Sequence, residues 1–175
     1  MGAGSIEDVD AVHTVVESPV GPLTLVRTPA GLCGLYMHLQ RHLPDSERFG
    51  PRVDAGFDDV TAQLAEYFDG ARTEFTVPLA PAGTEFQQRV WDALRTIPYG
   101  ERWTYLQLAE HLGNPAAIRA VAAANGRNPI GIIVPCHRVV GSDGSLTGYA
   151  GGLERKQFLL DLESPASVGI QDGLF

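Results

Sequence analysis

Asn125-Gly126-Arg127-Asn128-Pro129-Ile130-Gly131-Ile132-Ile133-Val134-Pro135-Cys136-His137-Arg138-Val139 holds both the punctuation and the chemistry of this chain. Asn-Gly ends a helix, and each end of the apolar run is closed by a proline without a backbone donor. The pattern predicts a short buried strand over residues 128–135 that delivers Cys136 and His137 at its end. Burial there raises a thiol pKa unless something offsets it. His137 is the candidate, as imidazolium or as a base acting through water. Neighbours on an extended backbone point to opposite faces, so a bridging water is expected rather than a direct bond. A chance Cys-His pair is the plain alternative.

Upstream, residues 104–112 read as a short amphipathic helix, broken at Gly113-Asn114. Pro115 is placed to start another helix, over 116–124. Helix, short turn, helix is the outline of a helix-turn-helix. The second helix is nearly all methyl groups, with Arg119 its one long polar side chain. A major-groove recognition helix needs several side chains that reach base edges. Two readings stay open: an alanine-rich packed helix, or a smooth one that approaches a nucleic-acid backbone and inserts a single probe. Before this pair, Thr84-Glu85-Phe86-Gln87 forms a capping box for a helix carrying Phe86, Val90, Trp91 and Leu94.

Downstream, residues 153–163 form an amphipathic helix with Leu153, Leu159, Leu160 and Leu162 on its apolar face. Glu163 at its end faces the negative pole of the helix dipole, which a histidine partner would offset. Cys136, His137 and Glu163 then make nucleophile, base and orienter. The plain reading of Glu163 is a solvated helix end.

The first eighty residues carry no such cluster. Residues 13–16 and 23–26 read as a hairpin around Ser18-Pro19-Val20-Gly21-Pro22, with a further strand at 32–37. Residues 40–56 are loop, and 58–68 are helical with Val60, Leu64, Tyr67 and Phe68 on one face. Cys33, between apolar neighbours, reads as a buried inert thiol. The expected layout is a tail at 1–11, an α/β domain at 12–80, a second domain at 84–163 and a tail at 164–175.

Composition narrows the classes. With 44% apolar and 19% charged residues, the 175-residue chain buries a real core, which excludes disorder and coiled coil. No apolar run approaches the ~18 residues of a membrane span. The start lacks the basic and apolar regions of a secretory signal, so a cytoplasmic protein without membrane partners is expected. Two distant cysteines exclude a disulfide framework and a zinc ribbon. The net charge of −8 hides a split, because residues 102–156 hold six basic and three acidic groups. That local excess permits a polyanionic partner.

Pro135-Cys136-His137-Arg138-Val139, preceded by Asn125-Gly126-Arg127-Asn128-Pro129 and followed by Gly148-Tyr149-Ala150-Gly151-Gly152, closely resembles the signature of the O6-alkylguanine-DNA alkyltransferases. The likeness is dense from 84 to 163 and looser over the N-terminal hairpin. It implies an α/β protein: a small ribonuclease H-like N-terminal domain and a mostly helical C-terminal domain with a helix-turn-helix. It implies transfer of the alkyl group of O6-alkylguanine, and of O4-alkylthymine, in double-stranded DNA to the protein's own cysteine, once per molecule. By that resemblance Cys136 is the acceptor, His137 its water-linked base and Glu163 the orienter of His137. Asn128 ties the helix-turn-helix to the active-site segment. Tyr105 lies near the flipped base, Val139 and Ala150 offer it backbone groups, and Tyr149 and Lys156 wall its pocket. Arg119 fills the gap in the base stack, and Asn114, Ala120 and Ala122 face the minor groove, whose degenerate readout suits sequence-blind repair. Ala122 stands where many members have glycine, and Ala150 where many have Ser or Gly. The zinc-binding cysteines of some relatives are missing, so no metal and no cofactor are expected; a monomer is expected, with cooperative binding along DNA left open.

Other classes remain at this point. A helix-turn-helix regulator leaves the Cys-His pair idle, and a thiol hydrolase ignores DNA. A non-catalytic alkyltransferase-like lesion binder lacks the acceptor cysteine that is present here.

Overall fold

Turn chemistry builds the first of two compact units, which comprises residues 1–82 with 129–131. The computed structural model describes residues 10–164, so nearly all of both expected tails lies outside the described residues. Strands β1 (Val12–Val16), β2 (Leu23–Thr28) and β3 (Gly31–Met37) form an antiparallel sheet in that order. Ser18 closes the first hairpin, accepting from the Val20 amide at 3.1 Å and donating to the Gly21 carbonyl at 2.6 Å. Gly31 opens β3 at φ +147°, where a Cβ would lie 2.8 Å from the Pro78 carbonyl oxygen.

Both sheet edges are covered. Residues 51–53 run along β1 through His13, and 78–80 along β3 through Leu32. Pro129 and Gly131 bond Leu35 of β3, at 2.9 and 3.2 Å. Helix α1 (Asp58–Phe68) buries Val60, Leu64 and Tyr67, the face that the sequence predicts, with Phe68 half-buried. The core here is Leu23, Leu25, Leu35, Phe57 and Tyr67. Cys33 is only half-buried, because it packs on a small satellite cluster of Ala11, Val26, Tyr36 and Phe49. Its Sγ donates to the Val26 carbonyl at 3.5 Å.

The second unit, residues 83–128 and 132–175, holds the remaining elements. Helix α2 (Glu85–Leu94) starts with the expected capping box, and Trp91 Nε1 donates to the Ala124 carbonyl at 2.9 Å. Strand β4 (Trp103–Thr104) leads into α3 (Tyr105–His111), where Thr104 and Gln107 form a second capping box. Gly113, at φ +80°, ends α3 in a left-handed cap. A 3-10 turn at Pro115–Ala117 follows, and α4 (Ile118–Gly126) begins two residues later than predicted. Strand β5 (Val139–Val140) pairs in parallel with β4, setting Trp103 opposite Val139. Helix α5 (Leu153–Glu163) ends the described fold.

Two further expectations fail. Residues 128–135 form no strand: Ile130 makes a lone bridge, and residues 131–133 turn, with Ile132 at φ +69°. Two prolines without donors and Gly131 between them favour a turn, and a continuous apolar run cannot distinguish the two. The burial was legible, since Ile130, Ile132, Ile133 and Val134 are all inside. On α5 the buried residues are Lys156, Leu159, Leu160 and Glu163, while Leu153 is 47% exposed. The inward stripe follows the helical i, i+3, i+4, i+7 spacing and has a charge at each end.

Candidate active site

Cys136, His137 and Arg138 form a buried 3-10 turn between the 131–134 turn and β5. The backbone is therefore not extended at Cys136, and the expected face alternation does not apply there. What separates thiol and imidazole is their choice of partner. Asn128 Nδ2 donates to Cys136 Sγ at 3.2 Å and to the Val134 carbonyl at 2.8 Å. His137 Nε2 lies 2.8 Å from Glu163 Oε2, while its buried Nδ1 has no hydrogen-bond partner. An unpartnered ring nitrogen in a polar interior suits a water or a substrate group.

The orienter has a second grip that the sequence reading missed. Arg138 donates from Nε to Glu163 Oε1 at 2.8 Å and from Nη2 to Oε2 at 3.0 Å. Its Nη1 donates to the Ile97 carbonyl at 2.7 Å, and the guanidinium lies 5.7 Å from the Tyr99 ring centroid. This fork fixes the carboxylate in both position and rotation. Burial alone would raise the Glu163 pKa, but the hydrogen bonds from His137 and Arg138 and the charge of Arg138 prevail and hold it at about 2. His137 moves the other way: burial lowers its pKa below the usual value, and the Glu163 carboxylate opposes only part of that. The imidazole is therefore a neutral base. Burial pushes the Cys136 thiol up, opposed by the Asn128 bond and by the charge of Lys156.

The other expected residues fall around this centre. Tyr105, the first residue of α3, donates from its hydroxyl to the Thr147 carbonyl at 3.1 Å. Lys156 is wholly buried, and its Nζ donates to the Val139, Thr147 and Gly148 carbonyls at 2.6, 3.1 and 3.2 Å. Val139 thus keeps one carbonyl lone pair for another donor. Tyr149 and Ala150 are half-buried. Burial, then the neighbouring thiol, raises the Tyr149 phenol well above its ordinary value.

Arg119, Asn114 and Ala120 are exposed on the helix-turn-helix, and Ala122 is half-buried. Leu106 and Ile118, 42% and 37% exposed, lie on the same two helices and were not foreseen. Among the described residues no cluster of three or more His, Cys, Asp or Glu is arranged to hold a metal. None of the described helices is long and apolar enough to cross a membrane.

A tethered thiol, a neutral imidazole and a clamped carboxylate thus share one unit with a helix-turn-helix. Comparison with known proteins gives this layout its class. The 6-O-methylguanine DNA methyltransferase profiles match along most of the chain, the ribonuclease-like domain over residues 11–81 and the DNA binding domain over 85–165. A methylated-DNA--protein-cysteine methyltransferase of Mycobacterium tuberculosis is 49% identical over 163 residues, covering 91% of this chain and 98% of that protein. Its counterpart from Methanosarcina acetivorans is 49% identical over 160 residues, covering 86% and 97%. The crystal structure of Mycobacterium tuberculosis OGT in complex with DNA superposes with a TM-score of 0.83 at 48% identity, covering 90% of this chain and 97% of that one. The chain belongs to the 6-O-methylguanine DNA methyltransferase family.

Proposed function

We propose that this protein repairs DNA by direct reversal, moving the alkyl group of O6-alkylguanine, and of O4-alkylthymine, onto Cys136. One observation carries the assignment: Asn128 is bonded to the Cys136 sulfur, and the His137–Glu163–Arg138 chain stands behind it. The lesion is stacked inside the duplex, so its nucleotide must first be extruded, at a cost of a few kcal/mol. The exposed helix-turn-helix docks in the minor groove of double-stranded DNA, with Asn114, Ala120 and Ala122 along the backbone. Arg119 occupies the vacated place in the stack. Few long side chains there suit a protein that must ignore sequence.

His137, neutral and with Nδ1 free, takes the thiol proton through a bridging water. The thiolate attacks the alkyl carbon, and the carbon–O6 bond breaks with its electron pair passing into the purine. A proton accepted by the purine balances the one lost from sulfur. Tyr105 supports this at the base, exchanging the Thr147 carbonyl for a purine nitrogen. Val139 and Ala150 offer backbone groups to the base, with Tyr149 beside it. The product is a thioether at Cys136, which mild aqueous conditions do not hydrolyse, so each molecule acts once. The same reading puts the protein in the cytoplasm, with its DNA substrate.

Incubation with a duplex containing O6-methylguanine, followed by intact-protein mass spectrometry, tests this. A gain of one methyl that stops at one equivalent is expected. Repeated turnover, or tight binding without mass gain, overturns it in favour of a hydrolase or a lesion binder.

A further inference from the structure

Charge in the buried site of the second unit does not cancel evenly. Arg138 and Glu163 neutralise each other through two hydrogen bonds, at 2.8 and 3.0 Å. His137 shares that carboxylate, and burial keeps it neutral. Lys156 is different. Its wholly buried side chain carries Nζ to three carbonyl oxygens, of Val139, Thr147 and Gly148, and none of its hydrogen bonds goes to a carboxylate. Carbonyls satisfy an ammonium's donors but leave its charge uncompensated, and an interior cation without a counter-ion is costly. Some other group must gain from it.

Asn128 is bonded to the thiol, Lys156 acts on it through charge, and Tyr105 and Tyr149 feel its charge in turn, while His137, Glu163 and Arg138 form the neighbouring hydrogen-bonded chain. Asn128 brings a dipole, the tyrosines are neutral and the Arg138–Glu163 pair is balanced. From this disposition we propose that Lys156 is the counter-ion of the Cys136 thiolate, holding its charge on the reacting sulfur while its hydrogen bonds fix the 147–148 segment. It acts through Cys136 and is a positioning residue, beyond the pocket wall that the family resemblance implies. The inference rests on the acceptor role of Cys136. Cys136 and Lys156 influence each other reciprocally: the ammonium lowers the thiol pKa, and the thiolate raises that of Lys156. Burial is the larger effect on the lysine and brings it down to about 8. The segment it fixes also serves Tyr105, since the Thr147 carbonyl accepts from both the Lys156 ammonium and the Tyr105 hydroxyl, each at 3.1 Å.

Single-turnover transfer from free O6-alkylguanine base, which needs no DNA docking, separates charge from scaffolding. Lys156→Gln keeps amide donors for the carbonyls without the charge, Lys156→Met removes both, and Lys156→Arg keeps the charge. In the Gln and Met variants the inflection of the pH–rate profile should move up by about one unit, with transfer at neutral pH about tenfold slower and recovering at high pH. Lys156→Arg should keep the parent inflection. A loss equal at every pH, with the inflection unmoved, overturns the proposal and leaves Lys156 a loop tether.

Should the neutral variants not fold, NMR titration of the Lys156 side chain in the parent and in Cys136→Ser decides. Coupling requires a lower lysine pKa in the serine variant, and identical titrations overturn it. Failure of the parent to take up an alkyl group on Cys136 sinks the proposed function instead, so the two failures are distinguishable.

Discussion

Among the described residues the first unit buries a single polar side chain, Thr14, whereas the second buries Asn125, Asn128, His137, Arg138, Lys156 and Glu163. Each buried polar group forfeits hydration that only well-made partners return. The first unit fills its interior with Leu23, Leu25, Leu35, Phe57 and Tyr67 and meets that cost at few atoms, among them Arg27 Nε. The second accepts it around one sulfur atom. The two cysteines show the same contrast. Cys33 packs as a small apolar side chain whose S–H donates only weakly to a carbonyl, at 3.5 Å. Cys136 instead accepts a bond from Asn128, at 3.2 Å, the polarity that suits a developing thiolate. The lesson is that stability and reactivity are kept in different cores.

The largest effect expected from this contrast lies in those cysteines. Cys136→Ser should abolish alkyl uptake while retaining affinity for methylated duplex in a gel-shift titration, since a hydroxyl is nearly isosteric but a far weaker nucleophile. Cys33→Ser should leave uptake near normal. Loss of uptake in the Cys33 variant would break the contrast.

Next come Glu163→Gln and Leu25→Ala, matched in stability and opposed in function. Glu163→Gln leaves the buried Arg138 without its counter-charge, which costs about 3–5 kcal/mol. Leu25→Ala opens a cavity in the other core at about 2–5 kcal/mol. Chemical denaturation should show both losses, yet uptake per folded molecule should fall only in the Glu163 variant. The acid limb of stability is a further sign of the pair. His137 and Glu163 both have folded pKa values below their unfolded ones, of 6.5 and 4.5. Their contribution is therefore full at neutral pH and is lost as the pH falls below those values, through about 2 for Glu163. Glu163→Gln should flatten the part below pH 4.5. An unchanged acid limb would place the stabilising carboxylates elsewhere.

The smallest effect concerns docking. Arg119→Ala should slow repair in duplex DNA by about tenfold, a loss of about 1.4 kcal/mol out of the few needed for extrusion, and leave reaction with the free base unchanged. Equal losses on both substrates would make Arg119 a residue of folding or chemistry.

Local rules made much of this fold legible, because local energies decide it. Thr84 with Gln87 and Gly113 mark helix ends through backbone hydrogen bonds that short-range sequence specifies, whereas α4 runs on through Asn125-Gly126, where the sequence suggests a stop, and ends at Arg127. The segment 128–135 was misread because its apolar run lacks a period. The α5 stripe was misread for a different reason. Hydropathy selects Leu153, Leu159, Leu160 and Leu162, but the fold buries Lys156 and Glu163 with Leu159 and Leu160. Charged residues are ordinarily surface residues, so position on the helix was the only available signal. The role of Arg138 cannot be read from the motif, since its partner Glu163 lies 25 residues away and only the folded chain brings them together.

The central claim is that the polar core of the second unit exists to make one particular sulfur the alkyl acceptor. Its most direct test is tandem mass spectrometry of the protein after one equivalent of O6-methylguanine duplex has been consumed. The account predicts a methyl on the peptide containing Cys136, located on its sulfur, with the Cys33 peptide unmodified. A methyl found on Cys33, or on any atom other than the Cys136 sulfur, would contradict it.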